Sequence, residues 1–295
     1  MKYPLLFTTV EPQYLHHHYQ DERSSNDVWK GIYVQGQRLE DDRFLEVTKL
    51  ATRRDVDERG LGWKDSESCW ISRDGQTLLV SPDSQPVPVE LPRVEGLASA
   101  SGRFRWTVQH GEDQQTRLQQ LDQATGQTTT VWEHPGWAGL SVAADPLQDR
   151  LVWSYRGYHL DSELLSWSPK SQKNEVVPTP FHKEFDDLAF SPDGKTLAFV
   201  HKNEVYTHRL DRQETHRVSD LESEADDLLG RTYRMHPGWS PDGKRVFYSN
   251  ACFYLQEDEL FESYNLMSAY PNGSKRKILL DWPAIAGFQV GPQIS

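Results

Sequence analysis

A tight turn flanked by strand-forming residues occurs twice in this sequence, as FSPDGKTLAFV at residues 190–200 and as WSPDGKRVFYS at residues 239–249. In the first copy Pro192 presets φ, Asp193 can bond its local backbone, and Gly194 accepts a positive φ. The aromatic, β-branched and aliphatic residues on either side are typical of antiparallel strands. Each copy therefore predicts a β-hairpin.

The hairpin recurs along the chain at a regular interval. Alignment on the strand after the turn brings four large aromatic residues to equivalent positions, 46 to 49 residues apart: Trp106, Trp153, Phe199 and Tyr248. Weaker turns occur around Gly102 and Asp149, and SRDGQTLLV around Gly75 matches the first copy closely. Each repeat continues with two more strand-like runs separated by a polar turn. Four strands in a period of 40 to 50 residues are typical of a β-propeller blade.

The two strong copies resemble the Pro-Asp-Gly repeat of TolB-type β-propellers, which are related to the WD-like repeats. The weaker copies extend the resemblance from about residue 66 to the end of the chain. The resemblance implies an all-β fold. It leaves function open, because members of the family include non-catalytic binding propellers, enzyme accessory domains and some sugar-acid lyases.

The two ends of the sequence predict how the propeller closes. AGFQVGPQIS aligns Gly291-Pro292 with the turn prolines, so this segment supplies only the first strand of a blade. Strand-like runs at 5–10, 29–35 and 43–50 can supply the other three, which removes an exposed sheet edge. We predict an all-β, six-bladed β-propeller of four-stranded antiparallel blades, closed by pairing of the N- and C-terminal strands.

This prediction treats residues 1–295 as one domain. Its first strands are expected near residues 70, 98, 142, 188, 238 and 289. The approximate blades are 287–295 plus 1–50, 66–95, 96–135, 138–180, 185–219 and 236–282. In the 66–95 blade, the prolines of SPDSQPVPVELP interrupt a ladder, so this blade is either truncated or has a different register.

Composition limits the classes of partner. The chain of 295 residues has 32 Lys and Arg against 44 Asp and Glu, a formal net charge of −12, which disfavours nucleic acid and suits a basic protein partner or simple solubility. The sequence has no run of about eighteen apolar residues, and the short apolar core of MKYPLLFTTVEPQ, which Pro4 interrupts, is too brief for the apolar region of a signal peptide. We expect a cytoplasmic, monomeric protein without a membrane partner. Cys69 and Cys252 lack metal-ligand spacing and are expected to be buried thiols.

Because the Ser-Pro-Asp-Gly turns join first to second strands, binding residues are expected at the opposite ends of the strands. The loops there are predicted at 11–28, 51–66, 109–115, 155–162, 181–187, 219–237 and 249–259. Five aromatic residues of these loops are predicted to anchor a partner: Tyr155, Tyr158, His159, Phe253 and Tyr254. Packing between blades would explain them as well.

The connector SDLESEADDLLGR at residues 219–231 is typical of a short helix, with a capping box at Ser219 and Glu222. Its acidic residues are Glu222, Glu224, Asp226 and Asp227. They predict either a docking site for a basic partner or a solvated helix face.

Enzyme signatures are absent or incomplete. The sequence has no G-x-S-x-G motif, no H-E-x-x-H motif and no dinucleotide fingerprint, so we predict no catalytic residues, no cofactor and no metal. Candidate metal ligands are His16, His18, His182 and His236, since some propeller lyases gather histidines at the channel mouth. The motif HPGW occurs at 134–137 and 236–239, but the copies lie at different distances from their turn prolines.

We therefore predict a non-catalytic binding propeller that recognises another protein through one loop face, in an adaptor, inhibitor or immunity-type role. The alternative is a metal-assisted enzyme that acts on a sugar acid or a similar small polar substrate at the channel mouth.

Overall fold

The structure is a computed structural model that describes residues 5–10, 30–34, 48–51, 58–63, 68–73, 76–81, 87–89, 96–156, 163–219, 231–256, 259–282 and 285–290. The chain divides into two compact units, one formed by residues 93–218 and the other by residues 1–92 with 219–295. The described residues form strands and turns, with no α-helix among them. Within that part of the chain, no helix has the length and apolar character needed to cross a membrane.

The first twelve described strands are β1 (Leu5–Val10), β2 (Lys30–Val34), β3 (Thr48–Ala51), β4 (Glu58–Trp63), β5 (Cys69–Arg73), β6 (Gln76–Val80), β7 (Val87–Pro88), β8 (Leu97–Ala98), β9 (Phe104–His110), β10 (Gln115–Asp122), β11 (Thr128–Pro135) and β12 (Gly139–Ala144). The others are β13 (Leu151–Arg156), β14 (Leu165–Trp167), β15 (Glu175–Val176), β16 (Phe185–Phe190), β17 (Thr196–His201), β18 (Glu204–Arg209), β19 (Glu214–Arg217), β20 (Arg231–Trp239), β21 (Val246–Gln256), β22 (Glu259–Ala269), β23 (Lys277–Trp282) and β24 (Ile285–Val290).

The described strands form six four-stranded antiparallel sheets. Five sheets contain strands that follow one another in the chain: β4–β7, β8–β11, β12–β15, β16–β19 and β20–β23. The sixth has the order β24-β1-β2-β3, with Leu5 opposite Val290 and Phe7 opposite Phe288. The predicted pairing of the terminal strands is thus confirmed.

The two Ser-Pro-Asp-Gly segments form the predicted hairpin turns. Gly194 has a φ of 65° and its N–H donates to the carbonyl of Ser191 at 2.9 Å, while Gly243 donates to Ser240 at 2.8 Å. The Ser191 hydroxyl donates to Asp193 at 2.6 Å and accepts from the N–H of Thr196 at 2.9 Å. Although burial opposes it, hydrogen bonds from Ser191 and the Lys195 N–H hold the pKa of Asp193 below its ordinary value.

The four aligned aromatic residues occupy equivalent positions, as the repeat predicts. Each lies in the second strand of its sheet, namely β9, β13, β17 and β21, and each is at most 1% exposed. In the 93–218 unit, Trp106 and Trp153 share one core cluster with Leu118 and Leu151. Phe199 belongs to a second cluster, with residues from β12 and β16. The repeat therefore places its largest side chains where neighbouring sheets pack together.

Neighbouring sheets of the 93–218 unit are also joined by a buried carboxylate. Asp145 accepts from the N–H of Leu147 at 2.9 Å and forms a 2.6 Å ion pair with Arg150. Arg150 reaches the carbonyl of Gly194 in the next sheet at 3.5 Å. A Cβ atom on Gly194 would lie 2.6 Å from Asp145 Oδ1, so the approach of the two turns leaves no space for a side chain.

Of the two alternatives for the 66–95 blade, the structure shows the different register, so the first strand expected near residue 70 is wrong. The turn between Arg73 and Gln76 joins β5 to β6, the second and third strands of the sheet β4-β5-β6-β7. The first strand is β4, within the segment predicted as the loop 51–66, and no first strand begins near residue 70. Turn residues specify a reversal of the chain but not which two strands it joins. Pro88 is tolerated because β7 is the outermost strand, where the ladder needs fewer donors.

The loop predicted at 249–259 is also wrong for most of its length. β21 continues to Gln256 and pairs with β22, with Phe253 opposite Glu262 and Tyr254 opposite Phe261. The run VFYSNACFYLQ is rich in aromatic and aliphatic residues, which favour a long strand over a loop.

Candidate functional site

The strands of the 93–218 unit have two chemically different ends. One end carries the turns at 99–103, 145–150 and 191–195, and is called the turn end below. The opposite end carries the β9–β10 turn, the connector from β11 to β12 and the start of β16, and is called the loop end. The loop end is where the sequence predicts binding residues, and it contains the groove described here.

Among the residues whose exposure the structure describes, Trp137 is the most exposed large apolar residue, with 73% of its surface accessible. It lies in the connector between β11 and β12, after Gly136, whose φ of 119° is readily adopted only by glycine. The hydroxyl of Thr116 donates to the carbonyl of Gly136 at 2.9 Å and accepts from the N–H of Ala138 at 3.0 Å. One buried hydroxyl therefore fixes the backbone on both sides of the exposed indole.

His110 supports the indole from the neighbouring strand end. Its ring stacks on Trp137 with centroids 5.7 Å apart and planes inclined by 21°. Its Nδ1 lies 3.1 Å from the hydroxyl oxygen of Thr116. Because that hydroxyl gives its only proton to Gly136, the contact requires His110 to donate from Nδ1. Thr116 thus positions both the connector and the ring that stacks on it.

A groove of about 420 Å³ lies beside Trp137, between the starts of β12 and β16. Leu140 and Phe185 contribute apolar walls, and the charged groups are Arg156, Asp186 and Asp187. Apolar walls with a few charged groups are typical of sites that bind a side chain or a small ligand.

The sheets on either side of the groove are tied together by polar contacts. Arg156 at the end of β13 pairs with Asp186 of β16 at 2.6 Å, with 58% and 38% of their side chains exposed. Ser154 donates to the carbonyl of Phe185 at 2.7 Å, and the N–H of Leu188 donates to Ser141 at 3.0 Å. The bonds made by Ser154 and Leu188 fix the start of β16 against β13 and β12.

Asp187 lies in a β-bulge of β16, between the pairs formed by Asp186 and Ala189, and has a φ of 50°. His236 has a φ of 55° and lies in the corresponding bulge of β20, between Met235 and Gly238. Both residues precede the proline of their turn by five positions. A bulge redirects the side chain it contains. The repeat therefore provides an irregular position in the first strand, which the sequence reading missed.

The structure places Tyr155 at the end of β13, where its ring is half-buried. The ring centroid is 4.8 Å from Trp132 and 5.8 Å from His134, both in the adjacent sheet. Tyr155 thus packs between two sheets, as the alternative interpretation of the sequence expected.

None of the other predicted partner-binding residues is among the described residues that line this groove. Phe253 and Tyr254 lie in β21 of the other unit. Six more lie outside the described residues: Tyr158, His159, Glu222, Glu224, Asp226 and Asp227. The predicted helix at 219–231 lies outside them too, except for Ser219 and Arg231 at its ends.

The candidate metal ligands are only partly described. His182 is exposed in the 93–218 unit, and His236 is exposed in the other unit. His16 and His18 lie outside the described residues. Across the described ranges, no group of three or more His, Cys, Asp or Glu side chains is arranged to hold a metal ion.

The two copies of HPGW occupy different structural positions, as their registers predict. Trp137 follows β11 and is exposed, whereas Trp239 ends β20 and is 9% exposed. The motif suggests metal-binding histidines, and Trp137 is not predicted as a binding residue. The four letters carry no signal for this difference in exposure, because both tryptophans follow the same His-Pro-Gly sequence.

No protein-family model matches the chain, and no curated protein matches it. Among solved structures, TolB from Acinetobacter baumannii has a TM-score of 0.60 and 10% identity, covering 99% of this chain and 67% of that one. A putative TolB from Agrobacterium tumefaciens has a TM-score of 0.55 and 11% identity, covering 97% and 91%. A chain of the nidogen/laminin complex has a TM-score of 0.55 and 11% identity, covering 99% and 98%.

The chain has a β-propeller fold. The resemblance to TolB-type propellers, predicted from the Pro-Asp-Gly turns, is confirmed at the level of the fold. Sequence identities of 10% and 11% carry no information about activity, so function has to be argued from the loop end itself.

Proposed function

We propose that this β-propeller is a non-catalytic binding protein that recognises another protein through the loop end of the 93–218 unit. The observation that carries the proposal is the presentation of Trp137. Its indole is 73% exposed, while Thr116 fixes the backbone on both sides of it. Tryptophan is among the residues that contribute most to protein–protein affinity, and a fixed side chain loses little entropy on binding.

The surroundings of Trp137 support a protein partner. An aromatic residue on a fixed backbone, next to a groove with apolar walls and an exposed ion pair, has the composition of an interface centre with a polar rim. One of the similar folds belongs to the nidogen/laminin complex, in which two proteins are associated. The net charge of −12 favours a basic partner.

We also propose that the propeller has six blades and is closed by its terminal strands. Six four-stranded sheets and the β24–β1 pairing support this arrangement. Deleting residues 286–295 removes most of β24, and closure predicts that the truncated protein unfolds. An unchanged melting temperature would contradict closure.

The binding proposal can be tested by capture from native cell extract followed by mass spectrometry. The wild type is compared with Trp137→Ala and with Leu147→Ala, which removes an exposed apolar side chain at the turn end. We expect at least one protein to be captured by the wild type and by Leu147→Ala but not by Trp137→Ala. Its affinity is then measured with the purified proteins. Capture that is equal for all three proteins would contradict the proposal.

A further inference from the structure

The groove beside Trp137 combines an exposed indole with two carboxylates. Asp186 and Asp187 line it from β16, and Trp137 lines it from the connector before β12. The face of an indole attracts a cation, and a carboxylate forms charge-assisted hydrogen bonds with one. Among protein side chains, the guanidinium of arginine makes both interactions. It is planar, so it stacks on aromatic rings, and it can donate two parallel hydrogen bonds to a carboxylate.

Among the described residues that line the groove, Arg156 is the one cation, and it is held by an exposed ion pair. More than half of its side chain and over a third of that of Asp186 are in contact with solvent. Exposed pairs of this kind contribute little to stability, because water and salt screen them. A second guanidinium that enters the groove could therefore replace Arg156 on Asp186 at little cost.

The apolar walls suit the remainder of such a side chain. Leu140 and Phe185 line the same groove as Trp137, Asp186 and Asp187. An arginine buries its methylene groups along apolar surface while its charged group stays at the polar edge.

We propose that the loop-end groove receives an arginine side chain of the partner protein, which stacks on Trp137 and takes the place of Arg156 on Asp186. This inference rests on the proposed binding function and names the chemical group that the site recognises. An acidic partner group would instead bind Arg156. Replacing Arg156 would then weaken binding of the acidic group, whereas it should strengthen binding of an arginine.

The test uses the full chain and a defined probe, the peptide acetyl-Gly-Arg-Gly-amide. Binding is followed by NMR through the indole N–H resonance of Trp137, which is assigned by its loss in Trp137→Phe. The comparison peptides carry lysine, glutamate or citrulline, which has the shape of arginine without its charge. We expect the arginine peptide to shift the Trp137 resonance and the citrulline and glutamate peptides to leave it unchanged.

Two variants separate displacement of Arg156 from general charge attraction. Arg156→Gln removes the competing cation, and we expect the dissociation constant of the arginine peptide to fall about threefold. Asp187→Asn keeps a residue type that tolerates positive φ and removes a charge, and we expect that constant to rise about threefold. The matched controls are Arg209→Gln and Asp211→Asn, which alter an exposed 2.8 Å pair outside the groove and should change nothing.

Each contrary result overturns a stated part of the inference. Weaker binding of the arginine peptide to Arg156→Gln would overturn the displacement of Arg156, and a glutamate peptide that shifts the Trp137 resonance of the wild type would show that Arg156 is itself the binding group. Equal shifts with the lysine peptide would overturn the choice of arginine, and no shift with the arginine peptide would overturn cation recognition altogether. Capture that depends on Trp137 would survive all of these outcomes, so this inference and the proposed function fail separately.

Discussion

The two ends of the sheets in the 93–218 unit use the same kinds of residue in opposite ways. At the turn end, the carboxylate of Asp145 is fully buried, ion-paired with Arg150 and bonded to two backbone N–H groups. At the loop end, the Asp186–Arg156 pair is exposed and lines a groove.

The difference in burial between the two ion pairs indicates that the turn end supports the fold, whereas the residues of the loop end can vary. A buried carboxylate with all its partners cannot be altered without leaving another group unsatisfied, so the turn end is constrained by stability. An exposed pair and an exposed indole contribute little to folding, so residues at the loop end can be chosen for recognition. The comparison predicts that substitutions at the two ends affect different properties of the protein.

The largest effect is expected from Asp145→Ala. This substitution leaves Arg150 and the N–H groups of Leu147 and Gln148 without their acceptor, and we expect the free energy of unfolding to fall by about 3 kcal/mol. Urea denaturation measures the change. Binding by the folded fraction should be retained. The control Asp211→Ala breaks an exposed pair and should cost about 0.5 kcal/mol or less.

Trp137→Ala should weaken partner binding and leave stability nearly unchanged, the opposite of Asp145→Ala. Because the indole is exposed, the free energy of unfolding should change by about 0.5 kcal/mol or less. Affinity for the captured partner should fall by about 2 kcal/mol, roughly thirtyfold in the dissociation constant. Calorimetry of the purified complex and urea denaturation give the two values. A loss of stability without a loss of affinity would reverse the roles assigned to the two ends.

Thr116→Val tests whether a buried residue at the loop end contributes both to stability and to partner affinity. The valine removes the hydroxyl bonds to Gly136, Ala138 and His110, and we expect a loss of about 1.5 kcal/mol in the free energy of unfolding. Partner affinity should also weaken, because the indole is no longer held in place. Thr116→Ser keeps the hydroxyl and should preserve affinity. Equal affinity for the valine and serine variants would show that the fixed backbone is unimportant for binding.

The smallest effect concerns pH and lies toward the turn end. Burial lowers the pKa of His208, which contacts Thr215 at 2.8 Å. The unfolded chain, with an ordinary histidine pKa of about 6.5, then binds a proton before the folded protein does, so stability falls as pH decreases below that value. His208→Gln should reduce the difference in stability between pH 7.5 and pH 5, as measured by urea denaturation at each pH. An identical pH dependence in both proteins would exclude a contribution from this histidine.

Features encoded in local sequence could be predicted. The hairpins at Gly194 and Gly243 follow from turn chemistry, and the four buried aromatic residues follow from the period of the repeat. The pairing of β24 with β1 follows from the shortage of strands at each end of the repeat pattern.

Features that depend on neighbouring sheets could not be predicted. The turn between Arg73 and Gln76 has the same chemistry as the others but joins a different pair of strands. The letters HPGW give no sign that Trp137 is exposed and Trp239 is buried, because exposure depends on which sheet covers each position. Asp187 enters the groove through a bulge, which shifts the alternation of faces that a strand pattern assumes.

The contact between Gly194 and Asp145 changes how the repeat motif should be understood. The glycine satisfies a positive φ within its own hairpin, but its missing side chain also makes space for a carboxylate from the preceding sheet. Two adjacent repeats are therefore coupled through Gly194 and Asp145, and neither residue can be replaced without a change in the other. A blade transplanted from another propeller would have to bring a compatible neighbour with it, because the fit lies in the junction between two blades as much as in the blade itself.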